Sequence, residues 1–190
     1  MIPSQMPART DTMNIEPLRI EAVKCLQLFR TDDDRGTFVK TFHDSSLQKA
    51  GIHFELKESF FSISHKDVIR GMHFHHPPYE HDKIVFCTRG RILDVVLDIR
   101  KSSPTYGQCC SEILSAGNNK ALFIPKGFAH GFLSLEEESV TFYFVNGEYH
   151  APSDDGIRFD SFGFNWPVET PGLSERDLNF QSLAQFQSPF

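Results

Sequence analysis

The sequence predicts an all-β domain, a sandwich, jelly roll or barrel of short strands, with a short helical segment near its C-terminus. Between Phe54 and Phe144, β-branched and aromatic runs alternate with turn residues, and little of that stretch keeps a helical period. The strand-like runs also recur at short spacing, as they do in face-packed or closed antiparallel sheets. Ser174 is placed to N-cap a helix over 174–187, with Asp177 in its first turn. In chain order, residues 1–15 read as a tail and 44–51 as a short helix. Strands follow at 72–74, at 82–88 and 91–100 joined by the Arg89-Gly90 turn, and at 108–114, 121–124, 131–135 and 140–145. Residues 185–190 read as a second tail. A chain of 190 residues with 39% hydrophobic content can bury one substantial core, so residues 1–190 are expected to form a single domain.

Composition narrows the classes of function. The net charge of −6 comes from 25 acidic and 19 basic side chains spread along the chain. No basic stripe is available to neutralise nucleic-acid phosphates, and nucleic acid is not expected as a partner. The N-terminus lacks the apolar run of a signal peptide, and no stretch approaches the roughly 18 apolar residues of a membrane span. A cytoplasmic protein is expected, without a membrane partner. Cys25, Cys87, Cys109 and Cys110 show neither CxxC spacing nor a disulfide framework, and are expected to be reduced and without a role.

Chemistry concentrates in three places. His73, His75, His76 and His81 fall within nine positions, beside Arg70, Glu80 and Lys83. Strand alternation over 72–74 puts His73 and His75 on one face and Met72, Phe74 and His76 on the other; His76, Pro77, Pro78 and His81 read as an exposed loop. The second place is His130, delivered by a proline-glycine turn (Pro125-Lys126-Gly127) into an apolar strand, where burial without a partner would be costly. The third is Leu173-Ser174-Glu175-Arg176-Asp177, which by itself is a capped helix start.

Taken together, Arg70-Gly71-Met72-His73, Lys83, the run 93–107, Ile124-Pro125-Lys126-Gly127-Phe128-Ala129-His130, Tyr149-His150-Ala151-Pro152, Trp166-Pro167 and 173–177 occur in the order and spacing of a known family. Over roughly residues 29–178 the chain resembles the dTDP-4-dehydrorhamnose 3,5-epimerase family. The resemblance implies a cupin-type jelly roll or double-stranded β-helix barrel, a homodimer, no cofactor, and a role in deoxysugar or surface-glycan biosynthesis. It also implies epimerisation at C3, C5 or both of a nucleotide-diphosphate 4-keto-6-deoxy sugar, dTDP-linked in the first instance with GDP or UDP as alternatives. His73 would be the base, oriented by Asp177. Lys83 and Arg70 would place positive charge near the enolate oxygen or the diphosphate, with His130 close by. Arg35, Phe38, Ser62 and His150 are further expected substrate contacts, Arg35 and Phe38 through a strand crossing to the partner's site.

Two alternatives stay open. Counting forward from His130 puts Tyr143 at the family's proton-donating tyrosine, whereas counting back from Tyr149 puts Phe144 there; only Tyr143 can donate a proton. Members of the family usually have glutamine where this chain has His75, and His73, His75, Glu80 and His130 match the ligand spacing of metal-binding cupins, so the competing expectation is a metal-dependent oxygenase or isomerase. A non-catalytic sugar-nucleotide binder on the same scaffold is the third.

Overall fold

The structure is a computed structural model that describes residues 13–190; most of the expected N-terminal tail lies outside the described residues. Short alternating strands dominate it. In chain order they are β1 (Asn14–Pro17), β2 (Lys24–Gln27), β3 (Phe29–Asp33), β4 (Gly36–Lys40), β5 (Glu58–Ser64), β6 (Ile69–His75), β7 (Lys83–Arg89), β8 (Arg91–Asp98), β9 (Cys109–Ser115), β10 (Lys120–Ile124), β11 (Phe128–Ser134), β12 (Ser139–Val145) and β13 (Asp154–Gly156). Among the described residues two α-helices accompany them, α1 (Asp44–Lys49) and α2 (Glu175–Leu178). Strands β1, β2, β3 and β4 lie ahead of the region in which strands were expected.

Two sheets face one another. One has the order β1-β2-β10-β7-β12-β5 and the other β13-β6-β11-β8-β9, while β3 and β4 form a separate hairpin. The named strand pairs are antiparallel. The expected cupin-type closed barrel is corrected here: neither sheet closes on itself, since β1 and β5 end one ladder and β13 and β9 end the other. Strands β7 and β8 are joined at Gly90, whose φ of +73° suits glycine, yet they belong to different sheets. That turn carries the chain across the sandwich instead of closing a hairpin.

Alternation explains the layering. On β7, Val85 and Cys87 enter the cluster between the sheets, with Ile92, Val96, Leu114, Phe128 and Phe132. Ile84 and Phe86 point the other way, into a second cluster capped by Leu47 of α1, Ile52 and Phe54. The outer face of the five-stranded sheet is covered in turn: Met72, Phe74, Val95 and Leu97 pack under Ile157 and Phe186. The expected C-terminal tail is therefore part of the core, with Phe186 6% exposed and the Phe190 carbonyl accepting from the Lys101 N–H at 2.9 Å. The expected helix over 174–187 shortens to α2. Ser174 caps it by accepting from the Asp177 N–H, but after Asn179 the chain turns to bridge Gln181 to Ile157, and backbone pairing with the β13 end replaces further helix.

One close approach sets the position of β6. Gly71 has φ +144°, and a Cβ there would lie 2.5 Å from Cα of Gly131 on β11. The β6–β11 register shifts at this crossing, between His130 and Phe132. Gly71→Ala therefore combines a backbone clash with an unfavourable φ. We expect it to lower unfolding free energy by about 3 kcal/mol or more, measured by urea denaturation, whereas Gly163→Ala, with open space around it, should cost less.

Candidate active site

The intersheet core stops short at one end of the sandwich, and a cavity of about 480 Å³ opens there, a size suited to a small-molecule ligand. Its walls come from both sheets. From the five-stranded sheet, β6 contributes Arg70, His73 and His75 and β11 contributes His130; from the six-stranded sheet, β7 contributes Lys83, β12 Tyr143 and β5 Ser62. The expected alternation on β6 holds, because Met72 and Phe74 are buried on the opposite face.

His73 Nε2 lies 2.9 Å from Asp177 Oδ1, and the Gly71 N–H donates to Asp177 Oδ2 at 3.1 Å. Burial opposes ionisation of Asp177, but these bonds and the His73 ring outweigh it and hold the carboxyl below its usual range. An ionised carboxylate only accepts, so Nε2 carries the proton and the lone pair of neutral His73 resides on Nδ1.

The partner that His130 needs is Asp94, at 2.8 Å and itself fully buried. Burial pushes the Asp94 carboxyl up, with His130 and Lys83 pulling the other way. Among the described residues nothing bonds to Asp94 Oδ1. Lys83 Nζ donates to the His73 carbonyl at 3.3 Å. Burial brings its pKa down to about 8, against Asp154 and Asp94, which favour its charged form. The Tyr143 hydroxyl is pushed well above its usual range by burial and then by Asp94, so it stays protonated. Phe144 packs into the outer cluster with Phe86 and Phe42. Of the two candidate positions, Tyr143 is the one at the cavity.

A cupin-like metal centre would need His73, His75, Glu80 and His130 to converge. They do not: Glu80 is not among the residues that line the cavity, and it pairs with Lys126 at 3.3 Å. Among the described residues no three His, Cys, Asp or Glu side chains are grouped to hold a metal ion. His75 instead contacts the His81 and Tyr149 rings. Burial, then the charges of His81 and Lys83, lower its pKa to about 4 despite Asp154, so it is a neutral imidazole at neutral pH.

Other expectations fall out differently. His81, expected in an exposed loop, lines the cavity, and burial lowers its pKa. His76 is likewise engaged, bonding Asp155 at 2.8 Å. His150 does not line the cavity; it stacks on Tyr79 with centroids 3.6 Å apart and bonds Ser153, and its neighbour Tyr149 reaches the wall instead. Arg35 and Phe38 sit on the β3–β4 hairpin, outside the cavity of their own chain, with Phe38 56% exposed. Sequence reasoning missed Asp94, Asp154, Arg176 and Glu58. For Asp94 the signal was available, a carboxylate within the otherwise apolar run Ile92 to Leu97; for the others only the folded arrangement reveals it. The four cysteines are free, and burial raises the pKa of each.

Comparison with known proteins identifies the family. The family model for dTDP-4-dehydrorhamnose 3,5-epimerase matches residues 17–185. A dTDP-4-dehydrorhamnose 3,5-epimerase from Shigella flexneri is 38% identical over 174 residues, covering 90% of this chain and 96% of its own. A dTDP-4-dehydrorhamnose 3-epimerase from Streptomyces niveus is 33% identical, covering 91% and 85%. The crystal structure of a dTDP-6-deoxy-D-glucose-3,5-epimerase from Legionella pneumophila in complex with dTDP-4-keto-L-rhamnose superposes with a TM-score of 0.88 at 33% identity, covering 92% and 95%. With a matching family model over most of its length and relatives above 30% identity across nine-tenths of it, the chain belongs to the dTDP-4-dehydrorhamnose 3,5-epimerase family.

Proposed function

We propose that this protein epimerises C3, C5 or both of a dTDP-linked 4-keto-6-deoxy sugar by removing a proton from one face of the ring and returning one to the other. The observation that carries this is the placement of base and acid on opposite sheets. His73, on β6, presents Nδ1 with its tautomer set by Asp177, while Tyr143 and Lys83 stand on β12 and β7. The C4 carbonyl acidifies the neighbouring C–H bonds. As His73 Nδ1 takes the proton, the C–H electron pair forms the C–C double bond and the carbonyl π pair moves onto oxygen. The ammonium of Lys83 stabilises that oxyanion, with Arg70 adding positive charge. The Tyr143 hydroxyl then gives its proton to the opposite face of the carbanion carbon, restoring the carbonyl. His73 loses its proton to solvent and Tyr143 regains one. The substrate supplies its own electron sink, and the dTDP linkage follows the named substrates of the relatives.

The test is hydrogen exchange at C3 and C5 of dTDP-4-keto-6-deoxyglucose in D2O, followed by NMR. His73→Ala is expected to abolish exchange and Asp177→Asn to slow it by about 10²-fold or more, in line with loss of the required tautomer. Tyr143→Phe should leave proton removal measurable while net inversion falls. Parent-rate exchange in His73→Ala would remove the base assignment, and unchanged inversion in Tyr143→Phe would remove the donor.

Lys83 gives a second prediction with a defined sign. Below pH 8 the lysine is charged in both folded and unfolded chains, and the folded form bears the desolvation cost. From about pH 8 to 10.5 the folded form gives up its proton while the unfolded chain keeps its own, so this group's contribution makes stability rise with pH. Lys83→Met is expected to be inactive yet to melt higher at pH 7, with the difference in Tm narrowing towards pH 10. A lower Tm at pH 7 would contradict this.

The homodimer implied by the resemblance is supported by β5, which ends its sheet with Phe61 54% and Ile63 56% exposed, a costly edge to leave in water. We expect light scattering to give twice the chain mass for the parent protein and a monomer for Ile63→Lys. A parent protein that is monomeric at micromolar concentration would rule this out.

A further inference from the structure

Helix α2 has only four residues, too few to hold its own orientation in water, yet it carries the carboxylate that orients His73. Something else must fix it. The short strand β13 supplies the anchor, because it is paired with β6 in a register that sets Asp154 opposite His75 and Gly156 opposite His73. Two side chains of the α2 segment dock onto those two positions. Arg176 bonds Asp154 through Nη1 at 2.8 Å, and the Asp154 side chain is 11% exposed. Phe180 occupies the space over Gly156, where a Cβ would stand 2.3 Å from its ring. The same Phe180 ring meets His73 edge-on at 5.7 Å between centroids and lies under the Arg176 guanidinium at 5.2 Å. The Gln181 carbonyl then accepts from the Arg158 N–H at 3.0 Å, tying down the exit of the segment.

We infer that Arg176 and Phe180 are positioning residues for the epimerase reaction: clamped on Asp154 and Gly156, they hold Asp177 against His73 Nε2 and the imidazole at the angle that presents Nδ1 to the sugar. This rests on the assignment of His73 as base. Geometry of this kind is worth much in catalysis, since a misplacement of about 1 Å at the reacting atoms can cost roughly 10²-fold in rate. Arg176 also lines the cavity, so a direct contact with the nucleotide diphosphate is the rival role. The two differ in what they move: a positioning residue lowers kcat with nucleotide affinity unchanged, whereas a phosphate contact raises KM and the Kd of TDP.

The experiment uses the full chain with Arg176→Ala, Arg176→Lys, Phe180→Ala and the milder Phe180→Leu, with Asp177→Asn as reference. Each is assayed for exchange at saturating substrate, for TDP affinity by calorimetry, and for the His73 tautomer by ¹⁵N NMR on histidine-labelled protein. We expect Arg176→Ala and Phe180→Ala to lose about 10-fold to 100-fold in kcat, with TDP Kd within about twofold of the parent and the pure Nε2–H signature of His73 replaced by a tautomer mixture. Arg176→Lys and Phe180→Leu, which keep a cation for Asp154 and an apolar fill over Gly156, should recover part of both rate and tautomer. If either alanine variant fails to fold, its conservative partner still reports through the same three readouts. Unchanged kcat and tautomer in the Arg176 and Phe180 variants, with Asp177→Asn strongly impaired, overturn the clamp alone. A rise in TDP Kd with kcat intact overturns it in favour of a phosphate contact, and parent-rate exchange in Asp177→Asn overturns both the base assignment and the clamp.

Discussion

The hydrogen bond between His73 Nε2 and Asp177 Oδ1 joins residues 104 positions apart, and much of the architecture is arranged around making it possible. To bring Asp177 back to β6, the chain beyond β13 must run over the outer face of the five-stranded sheet. That face is apolar: Met72, Phe74, Val95, Leu97 and Ala129 lie beneath Ile157 and Phe186, with Phe162, Phe164, Trp166 and Leu183 packed alongside. Full burial of a valine, leucine, isoleucine, phenylalanine or methionine side chain contributes on the order of 1.5–3 kcal/mol. The hydrophobic free energy that covers the sheet is therefore the same free energy that delivers the carboxylate.

The inner end of the sandwich runs in the opposite sense energetically. Lys83, Asp94, His130 and Tyr143 occupy positions that alternation would otherwise give to core residues, next to Phe128 and Phe132. Among the described residues Asp94 keeps one oxygen without a hydrogen bond, and neither ring nitrogen of His75 has a hydrogen-bond partner. Groups so placed destabilise a fold. Between protein walls, however, fixed charges act on a developing oxyanion more strongly than they would in bulk solvent. The direction of the Lys83 shift and the direction of the Tyr143 shift have the same first cause, burial, but different consequences: it brings the ammonium towards neutrality while keeping the phenol protonated.

Legibility in the sequence followed how local each feature is. The strands from β6 to β12 were readable because apolar alternation and turn residues are local, and the grouping of His73, Lys83, His130 and Asp177 was readable because family motifs preserve order and spacing. Pairing between sheets is not local. The Arg89-Gly90 turn looks the same whether it closes a hairpin or, as here, crosses the sandwich, and that difference separates a closed barrel from two open sheets. His81 sits among loop residues in sequence, but Gly147 comes so close to it that a Cβ there would meet its side chain at 2.6 Å, and this packs the ring into the wall. The metal expectation failed for a related reason. Ligand spacing specifies which residues are present, whereas the placement of Glu80 outside the cavity, paired with Lys126 from a distant segment, is set only by the fold.

An epimerase needs two proton-transferring groups on opposite faces of one ring, and a sandwich supplies them from facing sheets spaced about 10 Å apart. What must then be specified is which side chain each strand points inward. On β12 the choice lies between Tyr143 and its neighbour Phe144, and since strand side chains alternate, a slip of one residue would exchange a phenol at the cavity for a hydrocarbon. The register is held from outside the cavity. Phe142 stacks on Phe61 and Phe86, and Phe144 packs edge-on to Phe42, all on the outer face, so a slipped strand would bury the Tyr143 hydroxyl among aromatic rings and lose these contacts. The pairing of Tyr143 with Phe60 on β5 and Val85 on β7 is thus enforced by side chains outside the cavity, and which side chain of β12 faces the cavity, the proposed proton donor or a hydrocarbon, is decided by hydrophobic packing on the far side of the sheet.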